Sequence, residues 1–129
     1  MYRGFFSLVA CNEPLGMESQ RIGNSYIIAS NWKFGYNPYK ARLNGGSGWL
    51  AYGNRQRWPF IQVKVSSYGD YTVTGVATQP VGGYAVNSFT LTYSFDGIDW
   101  VDYREDGKVK VRGVLFNRQK GPLTCLLAA

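Results

Sequence analysis

The chain has 129 residues, 45% of them hydrophobic and 17% charged, so one domain with a real core is expected and a disordered chain is excluded. The net charge is +6 and histidine is absent, which removes Ser–His and Cys–His nucleophile pairs and imidazole metal ligation. No apolar run is long enough to span a bilayer as a helix, so no transmembrane segment is predicted.

In chain order, residues 1–10 carry one basic residue, an apolar stretch and a small residue. They read either as the remnant of a secretory signal or as a first strand. Cys11 and Cys125 lie near opposite ends. Paired, they would staple the termini and suit an oxidising compartment; unpaired, they are two buried thiols. Pro14 and Gly16 make a loop from which Leu15 and Met17 can plug the core. A turn at 21–25 leads into a short strand at 26–30. Residues 31–40 then interleave Trp32, Phe34, Tyr36 and Tyr39 with Lys33, Gly35, Pro38 and Lys40. Gly and Pro break regular structure, so a loop is predicted, with at least one ring in the core and at least one outside.

Ala41-Arg-Leu43 bridges to a turn at Asn44-Gly-Gly46, and Trp49 and Leu50 read as core. Arg55, Arg57 and Trp58 form a second basic, aromatic patch. Ile61, Val63 and Val65 alternate with Gln62 and Lys64, which predicts a half-buried strand. The organising segment is 71–103. A strand at 71–79 is followed by a break at 80–83 and a second strand at 86–95. There Phe89, Leu91, Tyr93 and Phe95 alternate with Ser88, Thr90, Thr92 and Ser94, giving one greasy face and one hydroxyl face. Asp96-Gly97 predicts a tight hairpin, and the whole segment reads as neighbouring antiparallel ribbons. The 79–84 loop carries apolar residues between two strands and is a candidate binding surface. A turn at Glu105-Asp-Gly107 precedes a strand in which Val109 and Val111 alternate with Lys108, Lys110 and Arg112. Short strands joined by Gly, Asn and Pro turns, without any run of helical period, make an all-β sandwich or barrel.

Charge is segregated along the chain. No acid lies between Glu18 and Asp70, whereas Arg21, Lys33, Lys40, Arg42, Arg55, Arg57 and Lys64 are all basic. Acids gather at Asp96, Asp99, Asp102, Glu105 and Asp106. A one-sign field favours an anionic partner, such as a phospholipid surface, an acidic glycan or nucleic acid; the bland alternative is a generically basic surface. Paired carboxylates from the acidic group could be drawn as a catalytic dyad, but Asp96 and Asp106 precede glycines in turns. Their spacing matches no calcium-binding loop, so no catalytic residue, metal or cofactor is predicted.

Read together from Cys11 to about Tyr103, these pieces resemble the discoidin domain, also called the coagulation factor 5/8 type C domain, of the galactose-binding-like class. The matching motifs are Cys11 with Pro14-Leu-Gly-Met-Glu18, then Ile27-Ile-Ala-Ser30, then Ala41-Arg-Leu-Asn44 with Gly48-Trp49. Trp58 with Ile61-Gln-Val63, Val73-Thr-Gly-Val-Ala-Thr-Gln79 and Leu91-Thr-Tyr-Ser-Phe-Asp-Gly97 with Trp100 follow in order. The sequence departs from the pattern at Lys64-Val65-Ser66 and at Pro80, which fixes φ where the family has glycine. Past about Val111 the match is lost, so the closing strands are read as missing or replaced by 116–129, and the partner of Cys11 stays open.

The resemblance implies a jelly-roll-like β-sandwich or barrel over 11–129, extracellular or at the cell surface and non-catalytic, with ligand loops at one end. Members bind phosphatidylserine-rich membranes, glycans, collagen or other proteins. The equivalent loops here offer Trp32, Lys33, Phe34, Tyr36 and Lys40, then Gln79, Pro80, Val81 and Tyr84, with Arg42, Arg55 and Arg57 as a basic rim. The expected function is docking on anionic phospholipid surfaces; the alternative is a glycan- or protein-binding adhesion module on the same fold. A single-strand nucleic-acid binder shares the basic, aromatic signature but leaves the resemblance and the two cysteines unexplained, and an enzyme is the weakest reading.

Overall fold

The computed structural model describes residues 14–53, 59–65, 73, 75–109, 111–113 and 126–128. The readings placed on residues 1–10, Cys11, Arg55, Arg57 and Cys125 fall outside them. The described residues form ten short strands, and the chain is of the all-β class. The strands are β1 (Ile27–Ala29), β2 (Ile61–Val63), β3 (Gly75–Ala77), β4 (Ser88–Thr90) and β5 (Thr92–Tyr93), followed by β6 (Val101–Asp102), β7 (Arg104–Glu105), β8 (Lys108–Val109), β9 (Val111–Gly113) and β10 (Leu126–Ala128). Two 3-10 turns, Asn24–Tyr26 and Pro38–Lys40, are the only helical pieces among these residues.

The β-branched run Ile27-Ile28 suits a pleated, half-buried surface. β1 pairs antiparallel with β2, setting Ile27 opposite Val63 and Ala29 opposite Ile61. Alternation then turns Ile27 inward and Ile28 outward. Ile27 joins Met17 and Ile22 in the core, Met17 being 2% exposed, with Leu15, Leu43, Ile61, Val63 and Val65 packed around them. Each such side chain stabilises by about 1.5–3 kcal/mol when buried. Met17 thus plugs the core from a turn, as the sequence predicts.

The 71–103 segment departs from its expected form in three ways. β3 pairs parallel with β10, and β4 pairs antiparallel with β9, so the strands at 75–77 and 88–90 are not each other's partners. Residues 111–113 and 126–128 therefore supply strands to this part of the molecule. Second, the expected strand at 86–95 is split into β4 and β5. Its greasy row divides too: Phe89 and Leu91 are half-buried, whereas Tyr93 and Phe95 are exposed.

Third, Asp96-Gly97 does not make a two-residue hairpin. β5 pairs antiparallel with β6, and the connection takes all of residues 94–100. The Asp96 carboxylate accepts from the backbone N–H of Ile98 (2.8 Å) and of Asp99 (2.9 Å), and from the Ser94 hydroxyl (2.9 Å). This side chain closes the turn in place of a cross-strand bond. The tight hairpin lies one turn later, at Asp106-Gly107 between β7 and β8. Both residues have positive φ, 51° and 75°, as a type I′ turn needs.

Candidate functional site

The 31–40 loop stands on a polar base. The Lys33 N–H donates to the Leu50 carbonyl (2.8 Å), and the Trp49 indole N–H donates to the Asn31 carbonyl (2.8 Å). The Asn31 side-chain oxygen accepts from the Tyr52 N–H (2.8 Å). Trp49 and Leu50 are thus only half-buried, and they serve the loop's base rather than the core. Inside the loop, the Lys40 ammonium donates to the Gly35 carbonyl (2.6 Å) and the Tyr36 N–H to the Lys33 carbonyl (2.9 Å). Pro38, preset for the first position of a 3-10 turn, is the loop's buried residue.

None of the four loop rings enters the core, contrary to the expectation that at least one would. Phe34 is 97% exposed, Trp32 and Tyr39 are also exposed, and Tyr36 is half-buried. The loop is folded on its own backbone hydrogen bonds, and Phe34 is left almost fully exposed.

The second predicted loop is a preformed hairpin. Val81 and Tyr84 exchange backbone hydrogen bonds of 3.0 and 2.9 Å, and Gly82 and Gly83 between them have φ of 55° and 84°. Two glycines with positive φ fit a type I′ turn without a Cβ penalty. Pro80 and Tyr84 are exposed, while Val81 is turned inward. A Cβ built on Gly48 would lie 3.2 Å from a Val81 methyl, so Gly48 lets the two segments approach closely. The hairpin is held at its foot by a reciprocal amide pair. The Asn44 N–H donates to Gln79 Oε1 (2.7 Å), and Gln79 Nε2 donates to Asn44 Oδ1 (3.2 Å). Asn44 Nδ2 donates in turn to Glu18 Oε1 (2.9 Å).

Beside this foot lies an open cleft of about 390 Å³, lined by Asn44, Gly46, Ser47, Gln79, Pro80, Val81 and Gly82. Gln79 is therefore both a tether and a wall of the cleft. Asn44, Asn31 and Glu18 are not among the binding residues that the sequence offers. The available signal was Asn44-Gly-Gly46, a turn whose asparagine adopts positive φ (57°) and frees its amide to bond elsewhere.

Arg42 has a different place from the rim expected of it. Its guanidinium donates to the carbonyls of Met17 and Ile22, and to Asn24 Oδ1 at 2.7 Å. Partial burial lowers its pKa from the ordinary value. It clips the core-plugging turn to the segment leaving the 31–40 loop. Lys64 lies over the Tyr26 ring, 5.7 Å from its centre, a cation–π geometry.

A model of the F5/8 type C domain matches residues 24–122, running past the point where the separate motifs stop. The chain is 32% identical to lactadherin of Sus scrofa over 118 residues, which is 80% of this chain and 28% of that protein. It is 31% identical to coagulation factor V of Bos taurus over 134 residues, covering 88% of this chain and 6% of that one. Neuropilin-2 of Homo sapiens is 36% identical over 129 residues, again 88% of this chain, and 14% of the relative. The chain thus spans less than a third of the length of each. With that match over most of its length, the chain belongs to the F5/8 type C, or discoidin, domain family.

Proposed function

We propose that this chain is a non-catalytic, extracellular binding module that docks on anionic phospholipid surfaces through the 31–40 loop and the 79–84 hairpin. Phe34 carries the reading: a 97% exposed phenyl on a braced loop, next to Lys33. Such a ring has no stabilising role in water, and it gains about 1.5–3 kcal/mol when moved into an apolar phase. Trp32 and Tyr84 are exposed and amphipathic, suited to the headgroup boundary. Each nearby cation adds about 1 kcal/mol of attraction to an anionic leaflet. No helix among the described residues is long and apolar enough to cross a membrane, and the reading is one of peripheral docking.

Sedimentation with phosphatidylserine-containing vesicles tests this. Phe34→Ala should weaken binding roughly thirtyfold, corresponding to about 2 kcal/mol, and Trp32→Ala should weaken it in the same direction. Binding equal to that of the parent in both variants would overturn the reading. The cleft at Asn44, Ser47 and Gln79 supports a second reading, a glycan-binding module, because amide and hydroxyl walls suit sugar hydroxyls. A glycan array run beside the vesicle assay separates the two.

A further inference from the structure

Asn44 is followed by Gly45, the one Asn-Gly pair in the sequence, and both residues are exposed. Glycine leaves the Gly45 nitrogen without a side chain to shield it, so that nitrogen can reach the carboxamide carbon of Asn44. Its N–H is tied to the Arg42 carbonyl by a long bond of 3.3 Å. The other described asparagines lack this arrangement. Asn37 precedes Pro38, whose nitrogen carries no proton. Asn24, Asn31 and Asn87 precede residues with side chains, and Asn24 and Asn31 are engaged by the Arg42 guanidinium and the Tyr52 N–H. The Asn44 amide is also the hub of the hairpin's foot. Its Oδ1 accepts from Gln79 Nε2 (3.2 Å), and its Nδ2 donates to Glu18 Oε1 (2.9 Å).

We propose that Asn44 is a site of spontaneous deamidation, and that the reaction unlatches the foot of the 79–84 hairpin. The Gly45 nitrogen gives its proton to solvent base and forms a bond to Asn44 Cγ. The Cγ–Nδ2 bond breaks, and the amide nitrogen takes a proton from solvent and leaves as ammonia. The five-membered imide left behind takes up water at either of its carbonyl carbons, giving aspartate or isoaspartate at position 44. Ammonia is lost and water gained, with no oxidant or reductant. The contact with Glu18 then reverses its character. A donor is replaced by a carboxylate oxygen facing Glu18 Oε1, so a hydrogen bond becomes a like-charge contact. The bond from Gln79 Nε2 survives in aspartate, because there position 44 is the acceptor. Aspartate also tolerates the positive φ of 57° held at this position, so the backbone does not mask the change. Isoaspartate goes further, because it adds an atom to the main chain inside the turn. Asn44 and Gln79 both line the cleft, so its wall changes with the foot. No lipid or sugar takes part, so the reaction occurs whatever the module binds.

The folded 129-residue chain is incubated at mildly alkaline pH in water enriched in heavy oxygen, then digested and weighed by mass spectrometry. Asn44 should convert and take up a heavy oxygen atom, at a rate that rises in proportion to hydroxide, while Asn24 and Asn31 stay intact. Asn44→Asp reproduces the aspartate product. It should lower the folding equilibrium constant about threefold, the scale of an exposed charge contact, and move the amide NMR signals of residues 79–84. Adding Glu18→Gln should restore stability, because a glutamine amide can donate to the new carboxylate. A mere loss of packing would not respond to that second change. Conversion of Asn44 only after denaturation, or of Asn24 or Asn31 ahead of it, would overturn the site. Parental stability with unmoved hairpin signals in Asn44→Asp, or no rescue by Glu18→Gln, would overturn the unlatching. If the variant does not fold, the deamidated fraction of the parent, separated by its extra negative charge, gives the same NMR comparison.

Discussion

Arg42 shows how one side chain can matter more to a loop than the loop's own residues. A planar, forked cation can serve several acceptors at once, and here it takes two carbonyls and one amide oxygen from the 17–24 segment. Those carbonyls belong to Met17 and Ile22, whose side chains are buried in the core. Removing the guanidinium leaves acceptors without their charged donor, at about 1–3 kcal/mol for the group. Arg42→Ala should lower stability to chemical denaturation by that amount, with vesicle binding per folded molecule unchanged. Arg42→Lys should recover only part of the loss, since an ammonium cannot match the fork. A variant as stable as the parent but deficient in binding would place Arg42 on the ligand face instead.

At the scale of elements, the 94–100 turn is a carboxylate-closed loop. The backbone N–H of Ile98, that of Asp99 and the Ser94 hydroxyl hold the Asp96 carboxyl below its ordinary range. A carboxyl lowered in the folded state adds stability above its unfolded value, near pH 4, and loses it as pH falls through the folded value. Amide shifts of Gly97, Ile98 and Asp99 followed by NMR should therefore titrate with a midpoint below the ordinary carboxylate value. Asp96→Asn should abolish that titration while its side-chain oxygen keeps the turn. The same turn marks the limit of reading from sequence. Asp-Gly signals a reversal, and a reversal occurs at both Asp96-Gly97 and Asp106-Gly107. Which of them is tight depends on the register of the flanking strands, which a local motif does not encode. Alternation revealed β2, and the loop signal of Pro14 and Gly16 revealed Met17 as a core plug. Neither revealed that β3 would pair with β10, residues far away along the chain. Turn chemistry placed the 31–40 and 79–84 loops. The tethers Asn31–Trp49 and Asn44–Gln79 escaped, because their partners are distant in sequence and polar residues carry no period.

Across the whole molecule, charge decides which partner the exposed rings can meet. The seven cations of residues 19–69 share no segment with an acid, while five of the eight acids of the sequence fall between Asp96 and Asp106. On the proposed membrane reading, an anionic bilayer would attract one part of the chain more than another, and this would orient the approach before any ring is buried. Long-range attraction is screened by salt; ring burial is not. Binding to phosphatidylserine vesicles should accordingly fall at least tenfold between about 0.1 M and about 1 M salt, as the screening length drops below the spacing of surface charges. The residual affinity at high salt should be the part that Phe34→Ala removes, and it should be the same on phosphatidylcholine vesicles. Binding indifferent to salt, together with a sugar ligand on the array, would instead move the functional surface from the charged loop to the amide-lined cleft beside Gln79.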